Sequence, residues 1–396
     1  MIPGWVRDEL EALRASDSYR TLRPLEGPCG PRVRVAGREM LCFSSNDYLG
    51  LAADPRLAEG AARAAREWGA GAGASRLITG TLDLHAQLEQ DLARLKGCEA
   101  AVLFSSGYQA NLGVLTALGR GGVILSDELN HASIVDGCRL ARARVEVYRH
   151  ADPADLEQRL RAHAGPSRKV VVTDGVFSMD GDLAPLPEIL EVAGRHGAIV
   201  VVDDAHATGV VGNGRGTAHH FGIRHEGLVV MGTLGKALGA FGAFVAGPRA
   251  VRDLLVNRAR SLIYTTAIPP PVLGAARAAL EVLQAEPDRI ERLAAHTRRL
   301  RQGLRQAGFP VPDLPTPIVP VILGGNRAAL TWSEKLWDRG FWVHPIRPPT
   351  VPEGTSRLRI TVSSEHDPAD IDALTEALAE LLRSDPAARQ APEAHP

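Results

Sequence analysis

The middle of the chain alternates between short apolar runs and helix-like stretches. Five runs rich in Val, Ile and Leu recur from about residue 100, namely AAVLF (100–104), GGVIL (121–125), KVVVTD (169–174), AIVVVDD (198–204) and LVVMGT (228–233). Continuous apolar runs are typical of strands buried on both faces of a parallel sheet. Between them lie helical stretches such as DPADLEQRLRAHAG and LPEILEVAGRHG, the second ending in a glycine typical of a helix C-terminus. The alternation predicts an α/β fold with a large, doubly wound, mostly parallel sheet.

The predicted sheet also indicates where a ligand binds. In doubly wound sheets the ligand lies beyond the carboxyl ends of the strands. Several predicted strands end in polar side chains at this edge, namely Ser105, Ser106, Asp127, Asp174, Asp203, Asp204 and Thr233. Because these ends meet at one edge of the sheet, they predict a single site there.

A change of pattern predicts two domains. The run PPP at 269–271 interrupts the chain and is typical of a hinge. We expect residues 46–268 to form the large domain and residues 269–384 a smaller α+β domain. The N-terminal segment, 1–45, is expected to pack with the small domain. The polar, Pro- and Ala-rich residues 385–396 predict a disordered tail.

Composition and charge exclude several classes of partner. The 45 Lys and Arg residues nearly balance the 46 Asp and Glu residues, so the formal net charge is −1 and no attraction to nucleic acid is predicted. No apolar run approaches the roughly 20 residues that span a bilayer, and the N-terminus lacks the apolar core of a signal peptide. The four cysteines are scattered without a CxxC pair, which predicts neither a metal site nor a disulfide framework. We therefore expect a cytoplasmic protein that acts on small molecules.

One lysine stands in an apolar, glycine-rich setting. Lys236 lies in MGTLGKALGAFGAFVAG (231–247), directly after one predicted strand and before another, between Gly235 and Gly239. A surface lysine would extend its charge into water, and this alternative stays open. In a dry pocket, however, a lysine becomes a nucleophilic amine, as Schiff-base chemistry requires. We expect the flanking glycines to leave room for a cofactor.

A carboxylate and a helix start fit the same cofactor. Asp203 ends the run in VVVDDAHATG (200–209), and His206 follows three residues later. Asp203 or Asp204 could instead cap a helix, with His206 on a surface turn. Beside a Schiff-base lysine, a buried carboxylate is the usual partner of the ring nitrogen of pyridoxal 5′-phosphate (PLP). The stretch LFSSGYQAN (103–111) predicts a strand, a small turn and a helix start whose N–H groups could hold a phosphate.

Three further residues are candidates with plain alternatives. His131 follows a strand end and could stack on a cofactor ring, or bond to solvent at a helix start. Ser178, in TDGVFSMDGD (173–182), could donate to a ligand oxygen or lie in a simple turn. Arg347, in a proline-rich loop, has the planar donor geometry that clamps a carboxylate.

Together these motifs resemble the α-oxoamine synthase family, a branch of the fold type I PLP enzymes. The matching segments occur in family order between residues 40 and 362, namely FSSNDYLGLA, GAGASRLITGT, FSSGYQAN, DGVFSMDGD, VVDDAHATGVVGNGRGT, MGTLGKALGAFGAF and RPPTVPEGTSRLR. The resemblance implies that Lys236 binds PLP covalently, that Asp203 pairs with the ring nitrogen and that His131 stacks on the ring. It further implies contacts of His206 and Ser178 with the phenolic oxygen of the cofactor, and phosphate contacts of Gly107, Tyr108 and Thr233.

The same resemblance implies substrates and an assembly. Arg347 would bind the carboxylate of an amino acid, while Arg20, Asn46 and Thr350 match family positions near the substrates. The segment YTTAIPP (264–270) is similar to one that reaches the neighbouring subunit, which implies a homodimer with shared active sites. SSNDYLGLA and GTLGKALG are most similar to the branch that condenses L-alanine with a pimeloyl thioester of coenzyme A or acyl carrier protein, in biotin biosynthesis.

Other activities stay open at the level of the sequence. Within the family they are glycine C-acetyltransferase, serine palmitoyltransferase and 5-aminolevulinate synthase. An aminotransferase would use the same fold and lysine, without a thioester. A non-catalytic relative would be expected to lack the lysine or the carboxylate, but both Lys236 and Asp203 are present.

Overall fold

The computed structural model of the protein describes residues 3–165, 168–224 and 226–384, so the predicted tail at 385–396 lies outside the described residues. The strands, in chain order, are β1 (Arg32–Val35), β2 (Arg38–Cys42), β3 (Ala100–Phe104), β4 (Val123–Asp127), β5 (Arg144–Tyr148), β6 (Lys169–Asp174), β7 (Ile199–Asp203), β8 (Leu228–Thr233), β9 (Ala243–Gly247), β10 (Ile318–Gly324), β11 (Phe341–Trp342), β12 (His344–Ile346) and β13 (Ser356–Thr361).

The helices follow in the same way. They are α1 (Gly4–Ala15), α2 (Pro55–Trp68), α3 (Asp83–Lys96), α4 (Gly107–Leu118), α5 (Ala132–Leu140), α6 (Pro153–Arg161), α7 (Leu186–Arg195), α8 (Thr217–His220), α9 (Arg249–Arg258), α10 (Arg260–Ile263), α11 (Pro270–Ala285), α12 (Asp288–Gln306), α13 (Asn326–Asp338) and α14 (Pro368–Ser384).

The chain forms two compact units. The larger contains residues 46–178 and 182–291, and the smaller contains the residues up to 45, 179–181 and those from 292 onward. The second boundary therefore follows residue 291, whereas the sequence placed it at residue 269. The helix after the proline run, α11, stays in the larger unit because it packs closely on α2. A Cβ on Gly60 would lie 2.8 Å from the carbonyl oxygen of Gly274, so glycines let the two helix backbones approach.

The larger unit is built on a seven-stranded sheet in the order β3-β9-β8-β7-β6-β4-β5. Strands β4 to β8 run parallel to one another, and β9 is antiparallel to both of its neighbours, β8 and β3. Two buried apolar clusters draw on the sheet, one shared with α4 and α5 and the other with α6 and α7. The predicted α/β fold with a large, mostly parallel sheet is confirmed.

The edge strand β5 was not predicted, because apolar runs indicate only strands that are buried on both faces. Its sequence, RVEVY, mixes charged and apolar residues, and it does not belong to the five predicted runs. Val145 and Val147 are exposed, at 38% and 50%, because β5 pairs only with β4 at the margin of the sheet. Charged side chains on such an edge prevent further strand pairing.

The smaller unit combines two three-stranded sheets with helices. Strands β1 and β2 from the N-terminal part join β11, and β10, β13 and β12 form the other sheet. The pairing of β11 with β2 is parallel, and its paired residues, such as Phe341 and Leu41, are 300 positions apart in sequence. In the part of the chain that the structure describes, no helix combines the length and the apolar character needed to cross a membrane.

Candidate active site

A cavity of about 210 Å³ lies at the carboxyl ends of β6, β7 and β8, where the strand topology places a ligand. It is lined by all the residues predicted to contact the cofactor, namely Gly107, Tyr108, His131, Ser178, Asp203, His206, Thr233 and Lys236. Four further residues complete the lining, namely Ser133, Asp174, Ala205 and Met231. Residues from five separate stretches of the larger unit thus meet around one cavity.

Lys236 sits in the turn of a β-hairpin. The antiparallel strands β8 and β9 flank it, and the Leu234 N–H donates to the carbonyl oxygen of Gly242 at 2.9 Å. Inside the turn, the Ala240 N–H donates to the carbonyl of Leu234 at 2.9 Å, and the Thr233 hydroxyl donates to that of Gly242 at 3.0 Å. These bonds hold the backbone of the turn from both sides.

The two glycines beside Lys236 have different roles. At Gly239, φ is +60° and an added Cβ would lie 2.4 Å from the backbone carbon of Leu51, so the position excludes every other residue. At Gly235, by contrast, the nearest atom would be 3.5 Å away. The expectation that both glycines clear space for a cofactor is therefore corrected for Gly239, which permits a close approach of the chain at residues 51–52.

The Lys236 amine ends a chain of hydrogen bonds. Its Nζ lies 2.8 Å from Nε2 of His206, and Nδ1 of the same ring lies 2.7 Å from the Tyr48 hydroxyl. The Tyr48 hydroxyl also donates to Oδ1 of Asn46 at 3.1 Å. Asn46, predicted near the substrates, is therefore linked to Lys236 through two side chains. Such a chain fixes the imidazole ring and with it the position of the amine.

Asp203 is a buried carboxylate at the end of β7. It is 3% exposed, its Oδ2 accepts from the Asn111 amide at 2.7 Å and its Oδ1 from the Ala205 N–H at 2.9 Å. The Asn111 amide also donates to the Ser133 hydroxyl at 2.8 Å. The carboxylate is thus oriented by neutral donors. A protonated ring nitrogen of PLP would supply the positive charge that a buried carboxylate needs as a partner.

A second buried carboxylate stands beside Asp203. Asp174 pairs with it in register across β6 and β7, and its Oδ2 accepts from the backbone N–H of His131 at 2.9 Å. Burial, and then the nearby charge of Asp203, raise the pKa of Asp174 well above its usual range. Burial also lowers the pKa of His131, whose Nδ1 lies 2.8 Å from the Ser133 hydroxyl. A neutral imidazole in this position is suited to lie against an aromatic ring.

The N-terminus of α4 is directed at the cavity. The Ser106 side chain caps the helix by accepting from the Gln109 N–H at 3.2 Å, and Gly107 and Tyr108 line the cavity in its first turn. Because the first N–H groups of a helix have no partner within it, such a terminus binds anions. An anion seat, a buried carboxylate, a flat imidazole and an amine at one cavity fit the phosphate, ring nitrogen, ring face and aldehyde carbon of PLP.

The other substrate candidates belong to the smaller unit. Arg347 is 7% exposed, its Nη1 donates to the carbonyl oxygen of Asp17, and its backbone carbonyl accepts from Thr350 at 3.1 Å. Burial, followed by the charge of Arg20, lowers the pKa of Arg347. Its Nε is buried and has no hydrogen-bond partner among the described residues. A carboxylate could satisfy this donor.

Comparison with known proteins agrees with this geometry. Residues 38–378 match the family model for class I and II aminotransferases. Two proteins named 8-amino-7-oxononanoate synthase, from Anaeromyxobacter dehalogenans strain 2CP-1 and Geobacter sulfurreducens, are 53% and 50% identical over 380 residues. The alignments cover 96% and 95% of this chain, and 95% and 97% of those proteins. The chain belongs to the class I and II aminotransferase family, and within it to the α-oxoamine synthases.

Comparison with solved structures supports the same family assignment. A serine palmitoyltransferase from S. paucimobilis with bound PLP superposes with a TM-score of 0.90 at 32% identity, over 96% of this chain and 97% of that one. An 8-amino-7-oxononanoate synthase from Francisella tularensis gives a TM-score of 0.75 at 28% identity, over 87% of this chain and 98% of that one. The protein is a PLP-dependent acyltransferase with the fold type I architecture, as the sequence predicted.

Several residues of the site were not singled out from the sequence. Tyr48 and Asn111 lie inside the quoted motifs FSSNDYLGLA and FSSGYQAN, yet nothing in a motif shows that they bond to His206 and Asp203. No sequence pattern pointed to Ser133, because its part in the site lies in its hydrogen bonds with Asn111 and His131. Asp174 did have one, as a polar strand end, but a strand end alone assigns no role.

Proposed function

We propose that the enzyme condenses L-alanine with a pimeloyl thioester to give 8-amino-7-oxononanoate, CO₂ and a free thiol, in biotin biosynthesis. The type of chemistry is supported by one juxtaposition above all, the Lys236 amine 2.8 Å from His206 in a cavity that Asp203 also lines. The choice of substrates is supported by relatives of that name at 50% and 53% identity over nearly the whole chain.

Seven features of the larger unit would hold PLP. Lys236 would bind it covalently, Asp203 would face the ring nitrogen, and His131 would lie against the ring. The first turn of α4, with Gly107 and Tyr108, and the Thr233 hydroxyl would receive the phosphate, while Ser178 and His206 would contact the phenolic oxygen. When bound, PLP supplies an electron sink for negative charge at the Cα atom of the amino acid.

Once the amino group of alanine has taken its place, the freed Lys236 amine would act as the base and the acid of the reaction. It removes the proton from Cα of alanine, and His206, held by Tyr48, keeps the amine in place. The Cα carbon forms a bond to the thioester carbonyl carbon, and the thiol leaves. The carboxylate of the former alanine departs as CO₂, and Lys236 returns a proton to Cα. The Lys236 amine has to be neutral before it can remove the proton. An imidazole neighbour permits the neutral form, whereas a carboxylate neighbour would favour the charged ammonium form.

We assign substrate binding to Arg347, Arg20, Asn46 and Thr350. Arg347 is suited to the carboxylate of the amino acid because its buried Nε has no partner among the described residues. Arg20 adds a second cation beside it, as its effect on the pKa of Arg347 indicates. Arg20 and Thr350 are exposed and are assigned to the acyl substrate, and Asn46 is a separate candidate in the larger unit that accepts from the Tyr48 hydroxyl.

We also propose a homodimer with shared active sites. The segment 264–270 begins with Tyr264, which is 71% exposed, and Thr266 bridges to Ser75. In the same loop as Ser75, Leu77 and Ile78 are 51% and 74% exposed. Large apolar side chains in two connected segments are typical of a surface that another subunit covers.

The test is turnover with a matrix of substrates. The PLP-loaded enzyme would be mixed with alanine, glycine or serine and with pimeloyl-CoA, acetyl-CoA or palmitoyl-CoA, while thiol release is recorded and the product is weighed by mass spectrometry. We expect alanine with pimeloyl-CoA to give the highest kcat/KM and a product of the mass of 8-amino-7-oxononanoate. A preference for glycine with acetyl-CoA, or serine with palmitoyl-CoA, would replace the proposed substrates. Conversion of alanine to pyruvate without thiol release would indicate an aminotransferase.

A further inference from the structure

Outside the cavity, one histidine lies between two buried carboxylates. Nδ1 of His150 is 3.0 Å from Oδ1 of Asp127, and its Nε2 is 2.9 Å from Oδ2 of Asp182. The three side chains are 6%, 0% and 6% exposed. Both ring nitrogens face carboxylate oxygens, so both have to carry protons for the two hydrogen bonds to form. The arrangement therefore requires an imidazolium cation.

The charges around His150 maintain that cation. Burial by itself lowers the pKa of an imidazole, but Asp127 and Asp182 outweigh it and raise the pKa of His150 to about 10. The backbone N–H of His150 also donates to Glu128, a further negative group on the same side. Since the pKa lies well above 7, His150 stays charged through the physiological range and does not act as a pH switch there.

One of the two carboxylates, that of Asp127, belongs to the residue at which the turn to His131 begins. Asp127 is the last residue of β4, and its Oδ1 accepts from the Leu129 N–H at 2.9 Å while its Oδ2 accepts from the Ala151 N–H at 2.8 Å. His131 follows two residues after Leu129. The orientation of the Asp127 side chain therefore sets the path of the chain into the cavity on this side.

The other carboxylate belongs to the loop that carries Ser178. Asp182 accepts from the Phe177 N–H through its backbone carbonyl at 3.0 Å, which closes the loop around Ser178. The Phe177 ring stands edge-on to the His150 ring, with 4.4 Å between the ring centres and an angle of 89° between the planes. His150 thus contacts the residue before Ser178 as well as the residue that closes its loop.

We propose that His150 is a positioning residue for the cofactor site. As a cation shared by Asp127 and Asp182, it joins the His131 turn to the Ser178 loop and keeps both at the distance that the cofactor requires. It touches neither cofactor nor substrate, since it is not part of the cavity lining. The proposal does not depend on which amino acid or thioester the enzyme uses, because its effect is on PLP binding.

The test measures PLP affinity in His150→Gln, which keeps a donor of similar reach but removes the cation and one of the two bonds. PLP would be titrated into the cofactor-free protein and followed by absorbance. By analogy with residues that orient metal ligands, whose loss costs about 10- to 100-fold in affinity, we expect the Kd for PLP to rise by a similar factor and the absorbance band of the bound cofactor to shift. His163→Gln is the matched control, because among the described residues the His163 side chain makes one hydrogen bond, of 3.2 Å to Glu146, and it does not line the cavity.

Asp182→Asn separates positioning from a purely structural role. The amide still accepts from Nε2, but with one carboxylate fewer the imidazole loses its proton at a lower pH. We expect PLP affinity in this variant to fall as the pH rises, already at values where wild-type His150, with a pKa of about 10, is still charged. A lower melting temperature of His150→Gln with wild-type PLP affinity would overturn the proposal, as would an equal effect of His163→Gln. If His150→Gln does not fold, an unchanged, pH-independent affinity in Asp182→Asn would overturn it.

Discussion

Two lysines of the larger unit stand near two consecutive aspartates, and their surroundings differ in kind. Lys96 lies 2.9 Å from Oδ2 of Asp204 and 2.8 Å from the carbonyl oxygen of Arg215, and the side chains of Lys96 and Asp204 are 2% and 1% exposed. Lys236 instead faces the imidazole of His206, and Asp203 is held by neutral donors. The first pair is a closed ion pair, while the second set of groups borders a cavity.

The difference comes from the end of β7. Asp203 is the last residue of the strand and Asp204 follows it, so the two side chains leave the chain in different directions. Asp204 also accepts from the Thr217 hydroxyl at 2.7 Å, which completes its bonding inside the protein. A lysine paired with a buried carboxylate is held as a cation, whereas an imidazole neighbour adds no such negative charge beside the amine. The partner, more than burial, separates a structural lysine from a reactive one.

The strongest test of this contrast is Lys236→Ala. We expect turnover to fall at least about 10⁴-fold, because the covalent attachment and the catalytic base are lost together, and the absorbance of the bound cofactor to disappear. The far-UV circular dichroism should stay that of the wild type. Lys335→Ala, on the exposed face of α13, is the control and should retain full activity. Normal turnover of Lys236→Ala would end the assignment of this lysine.

Lys96→Met should have the opposite profile. Removing this ammonium leaves the Asp204 charge buried without its cation, which costs about 3–5 kcal/mol of unfolding free energy. Urea unfolding would measure the loss, with Lys335→Met as a control expected to change it by less than about 0.5 kcal/mol. The kcat of the fraction that stays folded should remain close to that of the wild type. A large fall in kcat without a loss of stability would erase the distinction between the two lysines.

Asp203→Asn tests the second half of the contrast. The amide is of similar size but carries no negative charge, so it cannot keep the ring nitrogen of PLP protonated. We therefore expect kcat to fall about 100- to 1000-fold, as for other single electrostatic contacts in active sites. The melting temperature should change little. In Asp204→Asn the pattern should reverse, with a lower melting temperature and a kcat within a few fold of wild type. Equal effects of the two substitutions on kcat would contradict the opposite roles.

Tyr48→Phe should have the smallest effect. It removes the hydroxyl that lies 2.7 Å from Nδ1 of His206 and leaves a buried ring nitrogen without this partner. A buried polar group that loses its partner costs about 1–3 kcal/mol, so we expect kcat to fall about 10-fold with KM for the amino acid nearly unchanged. The pH profile of kcat would show whether the amine of Lys236 is affected through the ring. An unchanged kcat and pH profile would remove Tyr48 from the site.

The sequence predicted those strands well whose residues form one uninterrupted apolar run. The runs at 100–104, 169–174 and 228–233 coincide with β3, β6 and β8, because strands buried on both faces need uninterrupted apolar residues. It missed β5, because the charged residues Arg144 and Glu146 interrupt its apolar residues. It also placed the second domain boundary at the prolines, although the helix after them packs on α2 in the larger unit.

For the site, the sequence named the residues but not their bonds. The polar strand ends and the resemblance together singled out Lys236, Asp203 and His206 as candidates, and all three line the cavity. The contacts of Tyr48 and Asn111 join residues 158 and 92 positions apart. No local pattern encodes a contact of that kind, since it exists only after the strands have assembled.

The hairpin that carries Lys236 also bears on how quickly the lysine can move. Because β8 and β9 are hydrogen-bonded to each other immediately on both sides of the turn, the backbone at Lys236 is not free to swing as a lid would. In the proposed reaction the amine leaves the cofactor and returns to it in each cycle, and this movement has to come from rotations about its own side-chain bonds. Such rotations take picoseconds to nanoseconds, far faster than the microseconds to milliseconds of loop closure. We therefore expect the lysine's excursion never to set the pace of turnover.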